Sequence, residues 1–120
     1  MSVDGHALMA QRGPIASEIS RGIVRLNATL YGRGPVKAKT HLNDGTVVCV
    51  LESIFTKAER TLIDIGQADE VQRSRAAISE ATEEQFCDVV ARATGRPVLG
   101  CVQGVHIDLD KASKVFFLGR

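Results

Sequence analysis

The chain has 120 residues, enough for one domain around one core. Apolar residues make up 44% and aromatics only 4%, with no Trp, so disorder of the whole chain is excluded and the core must come from Val, Ile, Leu and Ala. Fifteen basic and fourteen acidic residues give a net charge of +1, which singles out no class of partner, and the three cysteines, an odd number without a CxxC pair, suit neither a disulfide framework nor a zinc site.

Residues 1–13 have no clear period and end in Arg12-Gly13; they are expected to form a mobile N-terminal tail ahead of a single domain over residues 14–120. Pro14 suits the first turn of a helix. Ile15, Ile19, Ile23, Leu26 and Leu30 then recur at the spacing of an amphipathic helix, which Gly32 ends. Gly22 sits inside that helix and marks a place where another backbone can come close. From Val36, Ala38, Thr40 and Leu42 alternate with Lys37, Lys39 and His41, the pattern of a strand with one basic face. Asn43-Asp44-Gly45 is a hairpin turn signal, and the apolar run that follows, Thr46 to Leu51, reads as a central strand.

Thr56 and Glu59 have the spacing of a capping box, opening a short helix with Ala58, Leu62 and Ile65 on one side and Gly66 as its stop. A long helix is predicted from about Asp69 to Thr94, with the stripe Val71, Ile78, Phe86, Val89, Val90 and Ala93. Its middle, Ser79 to Gln85, is polar enough to be exposed or broken. Val98 to Asp108 reads as a strand whose Gly100 and Gly104 permit a bulge. A turn at Asp110 to Ser113 and a strand from Val115 to Leu118 close a second hairpin. The predicted class is α+β: one domain, order α-β-β-α-α-β-β, with a four-stranded, mainly antiparallel sheet and helices on one face.

The residues offer little catalytic chemistry. Gly32-Arg33-Gly34-Pro35 is the most pointed local feature. Its backbone N–H groups and guanidinium suit an anion, yet it follows a helix, and Pro35 removes a donor; a helix stop joined to a strand start is the plainer reading. Arg21, Arg25, Arg33, Gly34, Lys37 and Lys39 form the candidate anion- or partner-binding set, drawn from a basic N-terminal segment that could also meet nucleic acid. Only Tyr31 is near to stack on a base, so a solvated face is preferred. His6, His41 and His106 have no metal-ligand spacing, while His106 and Asp108 share a strand face and form a possible proton-handling pair. Cys49, Cys87 and Cys101 lie in apolar stretches and read as small buried hydrophobes. No catalytic residue, metal or cofactor is assigned.

The stretch Glu18-Ile19-Ser20-Arg21-Gly22-Ile23-Val24-Arg25-Leu26, followed by Tyr31-Gly32-Arg33-Gly34-Pro35, resembles a bacterial family of small domains. That family is named after the C component (MpsC) of a sodium-translocating, membrane-potential-generating system. Phe55-Thr56-Lys57-Ala58-Glu59-Arg60 and Thr94-Gly95-Arg96-Pro97-Val98 continue the resemblance, which covers about Ile15 to Leu118. It implies an accessory role in ion or inorganic-carbon transport and supplies no catalytic residues. The leading expectation is therefore a non-catalytic accessory or regulatory protein acting through a protein partner, which a membrane transport complex would provide. Without a spanning segment or signal peptide, residence is expected in the cytoplasm, peripheral to the inner face of the membrane. A homodimer is expected because the core is thin in aromatics. Two alternatives stand beside this reading: a nucleic-acid-binding or transcription-linked module, and a small-anion sensor at the Gly-Arg-Gly-Pro turn.

Overall fold

The computed structural model describes residues 2–35 and 37–120, with side chains from Arg12 onward. Met1 and Val36, the latter the expected first residue of the first strand, lie outside the described residues. The elements follow in the predicted order: α1 (Ser2–Tyr31), β1 (Lys37–Asn43), β2 (Thr46–Glu52), α2 (Lys57–Asp64), α3 (Ala68–Thr94), β3 (Val98–His106) and β4 (Lys111–Leu118). All pairings are antiparallel and the strand order is β1-β2-β4-β3. Helices cover one face, so the class is α+β as predicted.

That face is set by the period-2 alternation of the strands. Val47, Cys49 and Leu51 of β2 and Phe116 of β4 are buried, joined by Ile19 and Ile23 of α1 and Val71, Phe86 and Val90 of α3. β2 is a central strand, as its apolar run requires. The Asn43-Asp44-Gly45 turn closes the first hairpin with Asp44 at φ 50°. The Thr56–Glu59 capping box is formed in both directions. Gly32 takes φ 77° past the last turn of α1, and its N–H bonds Ala28 O at 2.9 Å.

Several boundaries differ from expectation. α1 starts at Ser2, not at Pro14, which lies inside it. The run Ala7 to Gln11 consists of strong helix formers, which sustain a helix through a proline at the cost of one hydrogen bond. α3 is unbroken across Ser79 to Gln85. Ile65 caps α2 and points outward, so Ile63 packs with Leu62 on the core in its place. The second hairpin turns earlier than predicted, with Asp110 N–H bonded to Ile107 O at 3.2 Å and β4 starting at Lys111.

Gly22 does mark a close approach, made by a side chain. A Cβ there would lie 2.6 Å from a Val89 methyl of α3. Val89 is β-branched and cannot swing clear cheaply. Gly22→Ala is expected to lower stability by up to about 2 kcal/mol, because overpacking of about 1–3 kcal/mol outweighs the roughly 1 kcal/mol that alanine contributes to a helix. In a Val89→Ala background the same change should be neutral or stabilising. Urea unfolding of the four chains checks this, and an unchanged midpoint for Gly22→Ala alone would mean that α1 and α3 are not packed so closely.

Candidate functional site

The covered face of the sheet carries one polar row at its centre. Thr40 pairs with Cys49, Cys49 with Lys114, and Lys114 with Gln103, so four side chains cross the sheet on the buried side. Strand alternation turns Lys114 inward together with Ala112 and Phe116. Lys114 is only 6% exposed. Its Nζ donates to Gln103 Oε1 and lies 3.9 Å from the centroid of the Phe86 ring. Gln103 Nε2 donates in turn to Ser79 O of α3 at 3.2 Å. Among the described residues no carboxylate forms an ion pair with Lys114. Burial holds its ammonium below the ordinary lysine value.

A cleft of about 470 Å³ opens over this row. Its floor includes Gln103, Val105 and Lys114, and its roof is the polar middle of α3 with Arg75, Ser79 and Glu83. Asn27 and Tyr31 of α1 close one end. The polar stretch of α3 is thus unbroken and mostly exposed, as its polarity requires, and Ser79, Glu80 and Glu83 border the cleft.

Arg75 is 4% exposed and stands at the head of the cleft. Its Nε donates to Glu59 Oε2 at 2.7 Å and a terminal nitrogen to Glu59 Oε1 at 2.6 Å. It also donates to Ile54 O at 2.9 Å and stacks 3.8 Å from the centre of the Tyr31 ring. Burial pushes the Glu59 carboxyl up, but the bonds from Arg75 and from the Thr56 N–H outweigh it and leave it below the usual carboxylate range. Tyr31 moves the other way: its hydroxyl is raised by burial, with Arg75 opposing.

The same guanidinium belongs to a wider clamp on the loop between β2 and α2. Asp110 Oδ1 accepts from the N–H groups of Ile54 and Phe55 at 2.7 and 3.0 Å, and Arg60 reaches Asp110 Oδ2 at 3.3 Å. Arg33 donates to Phe55 O at 2.6 Å. One N–H of the Gly-Arg-Gly-Pro guanidinium is therefore used in fixing the loop. Gly34 of that turn lies against α1, where a Cβ would be 3.2 Å from a Val24 methyl.

The other basic residues of the candidate set do not converge with these. Arg21 and Arg25 are exposed on α1 and border different shallow grooves, the first beside Ala38 and Lys39 and the second beside Asp88 and Arg92. Lys37 and Lys39 are exposed on β1, on the sheet face away from the helices. His41 and His106 are also exposed; His106 Nδ1 accepts from the Leu109 N–H at 3.2 Å, and Asp108 lies in the turn after β3, so the two do not share a strand face. Among the described residues, no cluster of three or more His, Cys, Asp and Glu could hold a metal ion.

A family model described as "Na+-translocating membrane potential-generating system (MpsC)" matches residues 11–120. The chain belongs to the MpsC family. Among curated relatives, an uncharacterized protein YbcI of Bacillus subtilis (strain 168) is 28% identical over 100 residues, which span 82% of this chain and 77% of YbcI. No solved structure matches. Among the described residues of this MpsC-family chain, no helix is long and apolar enough to cross a membrane.

Lys114, Gln103 and Arg75 carry the distinctive chemistry of this MpsC domain, and none of them is in the basic set picked out by composition. Its cysteines are all free thiols, with Cys49 buried and Cys87 and Cys101 half-buried. Burial raises all three, Cys101 to about 11, which keeps them protonated and poorly nucleophilic at neutral pH.

Proposed function

We propose that this chain is a non-catalytic accessory protein that docks a protein partner on the open face of its sheet, at the cytoplasmic side of a membrane ion- or inorganic-carbon-transport system. The observation that carries the reading is the sheet's second face, over which no helix lies. Val48, Val115 and Val102 are direct cross-strand neighbours there, and Phe117 stands beside them. Val102 is 60% exposed and Phe117 43%, with Leu99 at the adjoining bulge 74% exposed. An apolar patch of this kind on a small domain marks an interaction surface. Lys37 and Lys39 rim it, while Lys111 is occupied by Glu52 at 3.1 Å. The fitting partner therefore has an apolar surface with acidic groups at its edge. The family description supports a membrane ion system as the setting.

Val71, Phe86, Val89, Val90 and Ala93 of α3 are packed within a single copy. The open sheet face is accordingly the surface we assign to self-association. A photo-crosslinking residue at position 102 is expected to capture a subunit of a transport complex in cells, and one at position 73, on the outer face of α3, is expected to capture none. Val102→Asp should remove the association and leave the melting temperature nearly unchanged, since the site is exposed. Capture of the same partner from position 73, or of none from position 102, would overturn the reading. Sedimentation equilibrium separates the homodimer case, in which a concentration-dependent dimer is dissociated by Val102→Asp.

A further inference from the structure

We propose that the cleft over Lys114 is a binding site for a small organic monocarboxylate, held by the Lys114 ammonium. This inference stands apart from the docking face, which lies on the other side of the sheet. Lys114 is more than nine-tenths buried and lines the cleft, yet it has no anionic partner among the described residues. A buried ammonium without a counter-charge is unfavourable, and an open cleft beside it lets a mobile anion supply one. Its one side-chain acceptor, Gln103, uses both ends of its amide, taking a bond from Lys114 and giving one to Ser79 O. That fixes the ammonium in place; with Gln103 on one side and the Phe86 ring on another, the third of its donors is left for a ligand. Gln103 is thus a positioning residue.

The charge balance selects the class. Arg75, the other buried cation of the cleft, is neutralised by two bonds to Glu59. Lys114 is left as the buried cation of the cleft without an ion pair. Glu80 and Glu83, both exposed, also line the cleft and offset its two cations, so they oppose a doubly charged anion more than a singly charged one, which disfavours phosphate and nucleotides. Leu51, Phe86, Val105 and Ala112 add apolar wall, suited to a short aliphatic body. A volume of about 470 Å³ falls within the range of small-ligand pockets.

Thermal unfolding at constant ionic strength, with acetate, butyrate, phosphate or chloride, tests the site. The expected result is a saturable rise in melting temperature with butyrate, a smaller one with acetate, and none with phosphate or chloride beyond the common salt effect. Lys114→Met should weaken the butyrate response by about tenfold or more, the loss that follows removal of a charged hydrogen-bond partner. An equal response in Lys114→Met, an equal response to phosphate, or no saturation by about 10 mM butyrate would overturn the proposal. If Lys114→Met does not fold, the native chain decides by NMR. The lysine whose Cε protons show contacts to the Phe86 ring should shift saturably with butyrate, and its failure to shift while the ligand is in excess refutes the site.

Discussion

Glu59→Ala is expected to destabilise the domain by about 3–5 kcal/mol, the cost of leaving one member of a buried ion pair without the other. Arg75 keeps only 5% of its side chain exposed and Glu59 12%, so water replaces the lost bonds poorly. The same substitution removes half of the capping box at the start of α2, worth about 1 kcal/mol more. The double variant Glu59→Ala with Arg75→Met should recover much of the loss, because it removes the stranded charge as well. The pair also sets the acid limb of stability. Glu59 titrates below the usual carboxylate range in the folded chain, so the unfolded chain takes up its proton first as pH falls. Its contribution is complete above the ordinary carboxylate value and disappears as pH drops through the folded one. Urea midpoints measured from pH 7 to pH 3 should therefore fall more steeply for the native chain than for the double variant. Parallel profiles, or a loss below about 1 kcal/mol for Glu59→Ala, would refute this account of the clamp.

Ile23→Asp is expected to abolish the native fold. Ile23 has no exposed surface and packs in the cluster shared by α1, α3 and the sheet. A carboxylate placed there finds no partner and costs several kcal/mol, on the order of the whole stability of a domain this size. The conservative Ile23→Val removes one methylene and should cost only about 0.5–1.5 kcal/mol. Circular dichroism and thermal unfolding distinguish the two. A cooperative transition for Ile23→Asp at the native temperature would show that this face of α1 is not in the core.

What was legible in the sequence rests on local signals. The isoleucines at four-residue spacing, the Asn-Asp-Gly turn, the capping box and the apolar run of β2 each report on bonds or burial within a few residues, and each element is where its signal lies. The polar cleft was not legible, for physical reasons that can be named. Ile107 and Leu109 continue the alternation of β3 into what is really the turn, so the pattern shifts the expected turn onto the following Asp-Lys-Ala-Ser. That displaced the start of β4 and hid the inward position of Lys114 between Ala112 and Phe116. The signal was available: a lysine at an inward position of an alternating strand. Arg75 lies four residues past Val71 on the buried stripe, but a charge there reads as outward unless its partner is known. That partner is 16 residues away and already committed to a cap. The basic N-terminal segment misled in the opposite sense, since proximity in sequence was spread over a helix, a loop clamp and the far side of the sheet.

The strand order β1-β2-β4-β3 also decides when the domain can be finished. Each hairpin closes over a short turn, but the seam between β2 and β4 joins Thr46 to Phe117, a separation of 117 − 46 = 71 residues. Closing so long a loop is slow compared with hairpin formation. The middle of the sheet is consequently its last-made part. Until β4 has been synthesised and has arrived, the apolar run of β2 has an unpaired edge, available to any other extended chain. The chain is thus most open to aggregation at the strand that ends up best protected, and completion of the sheet waits for β4, Lys111–Leu118.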